Sequence, residues 1–176
     1  MLQSQRMKMR PLTIILFTLF LFACVLAYVS GDRKSLRNQV VVRKLDLQLP
    51  AKEEQIHDFL WSNFANKPEE EKFEKLTTEE WKDRFHEYEK TLVGKAKWKS
   101  LDGDSLKKCL GEAFKHSKDE LAYLPVGAYS TKQGTTPVWI IVVKWETAKT
   151  GENLGHVRMF AFDAQSMKLI GFASCM

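Results

Sequence analysis

The run PVWIIVVKWE at residues 137–146 decides the fold. Its β-branched and aromatic residues favour a strand, and successive side chains of a strand point to opposite faces of the sheet. One face carries Trp139, Ile141, Val143 and Trp145, and the other carries Val138, Ile140 and Val142. Because both faces are apolar, both need cover from other parts of the protein. The run therefore predicts a central strand that is covered on both sides.

Three similar short runs lie on either side of this strand in the sequence. They are LAYLPVGAYS at 121–130, HVRMFAFDA at 156–164 and KLIGFASC at 168–175. Residues typical of turns separate the runs, and the longest separator, TAKTGENLG at 147–155, predicts a long hairpin loop. Runs of this length joined by turns predict four consecutive antiparallel strands.

The chain before these strands has the spacing of amphipathic helices. Thr77 and Glu80 have the form of a capping box, and the helix that they begin is expected to end at Gly94. A shorter helix is expected to begin near Asp104 as its N-cap. The apolar stripes of three helices are Ile56, Phe59, Leu60 and Phe64; Trp81, Phe85, Tyr88 and Leu92; and Leu106, Leu110 and Phe114, with Cys109 beside them.

An additional strand is predicted within QVVVRKLDLQL at 39–49, before Pro50 ends the run. Helices followed by a meander predict an α+β fold. We expect amphipathic helices packed on one face of a curved antiparallel sheet of four to five strands. At 176 residues the chain has room for one ordinary domain. The predicted divisions are 1–31 as a membrane anchor or export signal, 32–50 as a basic linker that holds the first strand, and 51–176 as a single α+β domain.

The order of helices and strands resembles the cystatin-like arrangement, in which a bent antiparallel sheet cradles a helix. Within it, VRMFAFDAQSMKLIGF at 157–172 is similar to the closing hairpin of PepSY-type domains, where a strand ends in an Asp-Ala turn, here Asp163 and Ala164, and a second strand follows. The resemblance covers residues 104–176. Small periplasmic or membrane-anchored domains of this kind are commonly binding or inhibitory modules, so the resemblance implies such a role.

Residues 12–29, LTIILFTLFLFACVLAYV, carry no charge and follow the basic residues Arg6, Lys8 and Arg10. At about 1.5 Å of rise per residue, a helix of this length approaches the roughly 30 Å thickness of the hydrocarbon core. The run predicts a retained anchor in the lipid bilayer, because it is longer than the apolar part of a cleaved signal, about 7–15 residues. A cleaved export signal is the second interpretation, and a lipoprotein signal around residues 21–24 is the third.

Topology follows from the very short tail before the apolar run. With no folded mass ahead of it, the N-terminus is expected to stay in the cytoplasm, and residues 32–176 are expected to be exported. The protein is then a single-pass membrane protein with an extracytoplasmic C-terminal domain, or a secreted or periplasmic one after signal cleavage. The basic stretch at 33–44 would contact anionic headgroups at the outer surface or form a solvated stalk.

The charge distribution argues against a nucleic-acid partner. The 27 Lys+Arg and 22 Asp+Glu residues give a formal charge of +5. Eight of those basic residues and one acidic residue precede residue 45, so the rest of the chain carries a formal charge of −2. A nucleic-acid-binding domain needs positive charge clustered on the fold itself.

Cys109 and Cys175 would share an oxidising compartment after export, while Cys24 lies within the apolar run. Two cysteines in such a compartment favour a disulfide. Closing a loop of about 66 residues would stabilise the fold by about 4 kcal/mol on the chain-entropy model. Two unpaired thiols are the alternative, because the spacing of the two Cα atoms does not follow from sequence.

No motif for metal or cofactor chemistry is complete. His86 and Glu87 begin an H-E-x-x-H pattern that lacks its second histidine. Cys109 and His116 are seven residues apart, too far along a helix to bind one ion unless the helix ends between them. A glycine-rich phosphate loop, a G-x-S-x-G elbow and a CxxC pair are all missing from the sequence. We therefore predict no metal, no cofactor and no catalytic residue.

The candidate ligand-binding residues lie in the predicted sheet: Trp139, Trp145, His156 and Arg158. The two tryptophans share one strand face and suit either a pocket on a bent sheet or simple core packing. His156 and Arg158 are two residues apart, so they share a face of an otherwise apolar strand. This pair suits an anionic ligand or partner.

The sequence predicts a membrane-anchored or exported, non-catalytic binding module of the cell envelope that recognises a protein, a peptide or an envelope component. One alternative is a small pocket enzyme on a cystatin- or NTF2-like sheet, with His156 as base beside Asp163 or Glu146. Another is a purely structural envelope protein. A cavity that holds His156 beside a carboxylate would indicate the enzyme, and a flush sheet surface would indicate binding.

Overall fold

A computed structural model describes residues 40–65, 77–116, 121–147 and 156–174. This part of the chain has an α+β fold, with three helices and one open, mixed sheet of five strands. The helices are α1 (Glu53–Phe64), α2 (Thr78–Trp98) and α3 (Gly103–Lys115). The strands are β1 (Val41–Lys44), β2 (Leu121–Gln133), β3 (Thr136–Thr147), β4 (His156–Asp163) and β5 (Leu169–Ser174).

The predicted apolar run at 12–29 lies outside the described residues, as do Cys175 and residues 148–155 of the predicted hairpin loop. Among the helices that the structure does describe, none combines the length and the hydropathy needed to cross a bilayer.

The sheet has the order β1-β2-β3-β4-β5. The four strands β2 to β5 form the predicted antiparallel meander. The prediction that the whole sheet is antiparallel is wrong, because β1 runs parallel to β2, with Val41 opposite Gly127. Three helices separate β1 from β2 along the chain, and a long connection of this kind can join parallel strands, which a hairpin cannot.

The central position of β3 is confirmed. It pairs with β2 on one side and β4 on the other, and every residue from 138 to 145 is buried. On one face, Ile56 and Leu60 of α1 pack in a core with Val138, Ile140 and Val142. On the other face, α3 reaches the sheet through a hydrogen bond from Trp139 Nε1 to Ser105 Oγ of 2.8 Å.

The expectation that all helices pack on one face of the sheet is therefore wrong. α1 covers one face. α2 and α3 lie on the other, where the Phe85 ring of α2 stacks on Tyr123 of β2 and the Tyr123 hydroxyl donates to the Ala113 carbonyl at the end of α3. The physical reason is the composition of β3, whose two apolar faces both have to be removed from water.

The helix ends show which local signals are reliable. The Thr77–Glu80 capping box is confirmed, since each residue's side chain accepts the other's backbone N–H. The predicted end at Gly94 is wrong: α2 continues to Trp98, and Ala96 in its last turn is fully buried. The N-cap of α3 is Asp102 rather than Asp104, because Asp102 Oδ1 accepts two backbone N–H groups of the first turn, at 3.1 and 2.9 Å.

Gly171 of β5 lies directly against Ile56 of α1. A Cβ at this position would overlap Cγ2 of Ile56, a branched side chain with little rotational freedom. We expect Gly171→Ala to lower the free energy of unfolding by about 1–3 kcal/mol, the usual effect of overpacking a core. Urea unfolding of the full-length chain in a non-ionic detergent measures this.

Gly94→Ala is the matched control for that substitution. A Cβ at Gly94 would meet no atom within 4 Å, and alanine favours a helix over glycine by about 0.5–1 kcal/mol. The control should therefore be more stable than the wild type. Equal effects of the two alanines would contradict the close approach of α1 to β5.

Candidate anion-binding site

Strand pairing brings three of the predicted ligand residues, Trp145, His156 and Arg158, together at one end of the sheet. Tyr123, Trp145 and His156 are direct neighbours across β2, β3 and β4. The next row on the same face contains Arg158 of β4 opposite Ser174 of β5. We call Trp145, His156, Arg158, Phe172 and Ser174 the Arg158 cluster.

The guanidinium of Arg158 stacks on aromatic rings. Its Cζ lies 4.1 Å from the centroid of the Trp145 ring and 5.9 Å from that of Phe172. The first distance is well within the range of a cation–π interaction, worth about 0.5–2 kcal/mol depending on exposure. Arg158 Nε also donates to Ser174 Oγ at 3.5 Å, a long contact. The rings hold the guanidinium in place without neutralising it.

Arg158 is half-buried, and burial lowers the pKa of its guanidinium. An arginine nevertheless keeps its charge in a protein. The ion pairs found among the described residues do not include Arg158. Removing a charge from water is costly unless an opposite charge compensates for it. The cluster therefore holds a partly desolvated cation that has no carboxylate from the described part of the chain.

Trp145 forms the base of the cluster. Its side chain is only 8% exposed, and its Nε1 donor is buried without a hydrogen-bond partner in the part of the chain that the structure describes. Such a donor costs about 1–3 kcal/mol of stability, and departures of this kind concentrate at functional sites. The His156 ring lies 5.0 Å from the Trp145 ring. The exposed rim is Phe172, at 44%.

Trp139 does not belong to the cluster. It lies six residues before Trp145 on β3, about 20 Å away along the strand. Its side chain is 2% exposed, and its indole N–H donates to the Ser105 hydroxyl of α3. The structure thus assigns the two tryptophans to different places, one to the core and one to the Arg158 cluster.

The carboxylate of Asp163 is not beside His156. These two residues are the two ends of β4, and Asp163 Oδ1 accepts the backbone N–H groups of Gln165 and Ser166 at 2.7 and 3.1 Å. Those hydrogen bonds lower the pKa of Asp163 and hold it in the turn. The side chain of Glu146 lies outside the described residues. In the described ranges, His, Cys, Asp and Glu side chains do not form a group of three that could hold a metal ion.

Cys109 is a fully buried residue of α3. Its Sγ is 3.5 Å from Met167 Sδ, and burial raises the pKa of the thiol to about 12. A thiol with this pKa is almost fully protonated at neutral pH and is a poor nucleophile. The disulfide with Cys175 stays a prediction, because Cys175 lies outside the described residues.

Sequence reasoning missed two members of the cluster, Phe172 and Ser174. The face of the sheet on which these two side chains lie depends on a shift of the β4–β5 pairing between Ala161 and Phe162. If the pairing next to the turn continued unchanged, Ala173 would lie opposite Arg158, and the shift places Ser174 there instead. The signal available in the sequence is the pair of polar residues, Arg158 and Ser174, near the ends of two adjacent apolar strands.

The chain matches no family model, no curated protein and no solved structure.

Proposed function

We propose that this protein is a membrane-anchored, extracytoplasmic binding module that captures a peptide or protein segment through a carboxylate. Residues 12–29 would hold it in the bilayer, and the Arg158 cluster would be its recognition site. One observation carries the proposal: the half-buried guanidinium of Arg158 lies 4.1 Å from the Trp145 ring and has no acidic partner among the described residues.

The chemistry of arginine favours a carboxylate ligand. A guanidinium presents a planar fork of donors that matches the two oxygens of a carboxylate, and the resulting charge-assisted hydrogen bonds are stronger than neutral ones. Stacking on Trp145 fixes the plane of the fork before a ligand arrives, so less conformational entropy is lost on binding. An anion would supply the counter-charge that Arg158 lacks among the described residues.

The surroundings favour a ligand that also has an apolar part. Phe172 stands at the rim with 44% of its surface exposed, and its ring is within 5.2 Å of the Phe160 ring. An aromatic side chain next to the ligand's carboxylate could pack against the exposed ring of Phe172 and extend the row of aromatic rings formed by Phe160 and Phe172. A peptide that ends in an aromatic residue has both features, and a binding role is also what the resemblance to cystatin-like and PepSY-type domains implies.

The first test uses N-acetyl-alanyl-phenylalanine as the free acid and as its amide. The full-length, ¹⁵N-labelled chain in detergent micelles is titrated with each probe. The indole N–H resonance of Trp145 and the Nε–H resonance of Arg158 are followed by NMR. We expect both resonances to move with the free acid. Since hydrogen bonds to a charged group contribute about 1.5–3 kcal/mol, Arg158→Gln should weaken binding by about 10- to 100-fold.

Arg43→Gln is the control, because it makes the same change at an arginine on β1, at the opposite edge of the sheet. It should bind the free acid as the wild type does. Equal binding of acid and amide, or equal binding by the Arg158→Gln variant, would contradict carboxylate recognition. If neither probe moves the two resonances at any concentration, the cluster is not a site for a carboxyl-terminal aromatic residue.

A further inference from the structure

A shallow groove of about 340 Å³ lies between β1 and the C-terminal end of α2. The residues that line it are Val40, Val41, Val42, Arg43, Lys95, Trp98 and Lys99. We call its four polar or aromatic residues, Arg43, Lys95, Trp98 and Lys99, the headgroup patch. None of them belongs to the Arg158 cluster, and β1 is at the opposite edge of the sheet from β5.

Trp98 is the most unusual residue of the patch. It is 83% exposed, more than any other large hydrophobic side chain in the described part of the chain. Six residues earlier on the same helix, Leu92 is fully buried, so the exposure of Trp98 does not come from a helix that is solvated throughout. An indole has a large apolar surface and one polar N–H, and it is enriched where water meets lipid.

Three cations accompany this tryptophan. Arg43 and Lys99 take part in none of the ion pairs found among the described residues, and Lys95 Nζ donates to the Val40 carbonyl at 2.5 Å. Lys97 of the same turn is different, because it pairs with Asp104 at 2.8 Å. Lysines in the last turn also complement the helix dipole, but the dipole accounts for neither Trp98 nor Arg43, which lies on a separate strand.

The length of the connecting chain limits how far this patch can be from the proposed membrane anchor. Val40 lines the groove and follows the last residue of the apolar run, Val29, by eleven positions. At roughly 3.3–3.6 Å per residue, the intervening chain spans at most about 40 Å. Arg33, Lys34 and Arg37 lie within this connection and would themselves be drawn to an anionic surface.

We infer that the headgroup patch rests on the anionic surface of the same bilayer that holds the anchor, with Trp98 in the headgroup region and Arg43 and Lys99 against lipid phosphates, while Lys95 stays bonded to the Val40 carbonyl. The inference rests on the proposed membrane anchoring and adds a second point of attachment. Basic residues near an anionic membrane are attracted to it, so Arg43 and Lys99 together with the indole of Trp98 would hold the domain in one orientation. The Arg158 cluster lies on β3, β4 and β5, and none of its residues is on β1 or α2, which line the groove.

Tryptophan quenching tests this contact directly. The full-length chain is incorporated into nanodiscs of phosphatidylcholine and phosphatidylglycerol in equal parts, with or without brominated acyl chains, which quench only nearby indoles. The five tryptophans of the chain all lie after residue 60, so the anchor contributes no signal. We expect the brominated discs to quench part of the emission, and we expect Trp98→Phe to lose most of that quenching.

Trp61→Phe is the matched control, since Trp61 is also exposed but lies on α1. This variant should keep the quenching. The charge contribution is tested by the double variant Arg43→Gln and Lys99→Gln, which should lose much of the quenching, whereas Lys107→Gln with Lys108→Gln on α3 should not. In discs of phosphatidylcholine alone, the wild type should be quenched less.

The outcomes separate the two proposals. If the chain does not elute with the discs, the membrane anchoring and the patch are both wrong. If it elutes with the discs but Trp98→Phe and Trp61→Phe are quenched equally, the anchoring stands and the headgroup patch is wrong. Quenching that depends on Trp98 but not on phosphatidylglycerol or on the two charge substitutions would contradict the role of the cations.

Discussion

Trp139→Ala is expected to lower the free energy of unfolding by about 3–5 kcal/mol, the range for removing a large aromatic side chain from a core. Trp139 is almost fully buried on the central strand β3, between Ser130 of β2 and Phe162 of β4. Its loss leaves a cavity under α3 and removes the hydrogen bond to Ser105, whose hydroxyl is then without its indole donor. Urea unfolding of the full-length chain, followed by near-ultraviolet circular dichroism, measures the change.

Trp98→Ala is the control, because it makes the same substitution at an indole that is 83% exposed. Its effect on unfolding in detergent should stay within about 0.5 kcal/mol. A Trp139→Ala variant as stable as the wild type would show that Trp139 is not a core residue. That result would favour the alternative in which both β3 tryptophans line a pocket.

The two tryptophans show what a strand pattern can predict and what it cannot. Alternation places Trp139 and Trp145 on one face of β3, and this is how the structure has them. Alternation does not say what covers that face at each end. α3 covers Trp139, whereas Trp145 lies beneath the guanidinium of Arg158. Whether a tryptophan of β3 is covered depends on how far α3 extends over the sheet. That extent depends on tertiary packing and not on the sequence of β3.

The composition of the Arg158 cluster was predictable only in part. His156 and Arg158 share a face because they are two residues apart, and this follows from sequence alone. Ser174 and Phe172 reach the same face through the register shift at Ala161 and Phe162. Without this shift every side chain of β5 beyond it would change faces, and no pattern in the sequence specifies the shift.

The helices likewise show that local interactions follow from sequence, whereas features that depend on tertiary contacts do not. The capping box of Thr77 and Glu80 involves residues three apart, so the sequence contains the whole interaction. Gly94 predicts the end of the helix, yet a glycine within a helix costs only about 1 kcal/mol relative to alanine. The burial of Ala96 against other parts of the fold outweighs that cost. Likewise, the parallel direction of β1 depends on three intervening helices and not on its own four residues.

The second large effect is expected for Leu60→Ala, which should lower the free energy of unfolding by about 2–5 kcal/mol. Leu60 is fully buried and packs with Ile56 in the core between α1 and the sheet. α1 has 12 residues, and a helix of this length is marginal by itself in water. Its stability therefore depends on its apolar contacts, and losing one of the largest of them should also weaken the helix.

Leu47→Ala is the matched control for Leu60→Ala. Leu47 is an exposed leucine, and its backbone carbonyl, which accepts the hydroxyl of Thr131, is unchanged by the substitution. The control should differ from the wild type by less than about 0.5 kcal/mol. Equal small effects at Leu60 and Leu47 would mean that α1 does not cover the sheet. In that case the face of β3 with Val138, Ile140 and Val142 would have no helix over it. The helices would then pack on a single face of the sheet, as the sequence predicts. A large effect at Leu60 alone places α1 in the core, because only a leucine enclosed on all sides leaves a cavity when it is shortened.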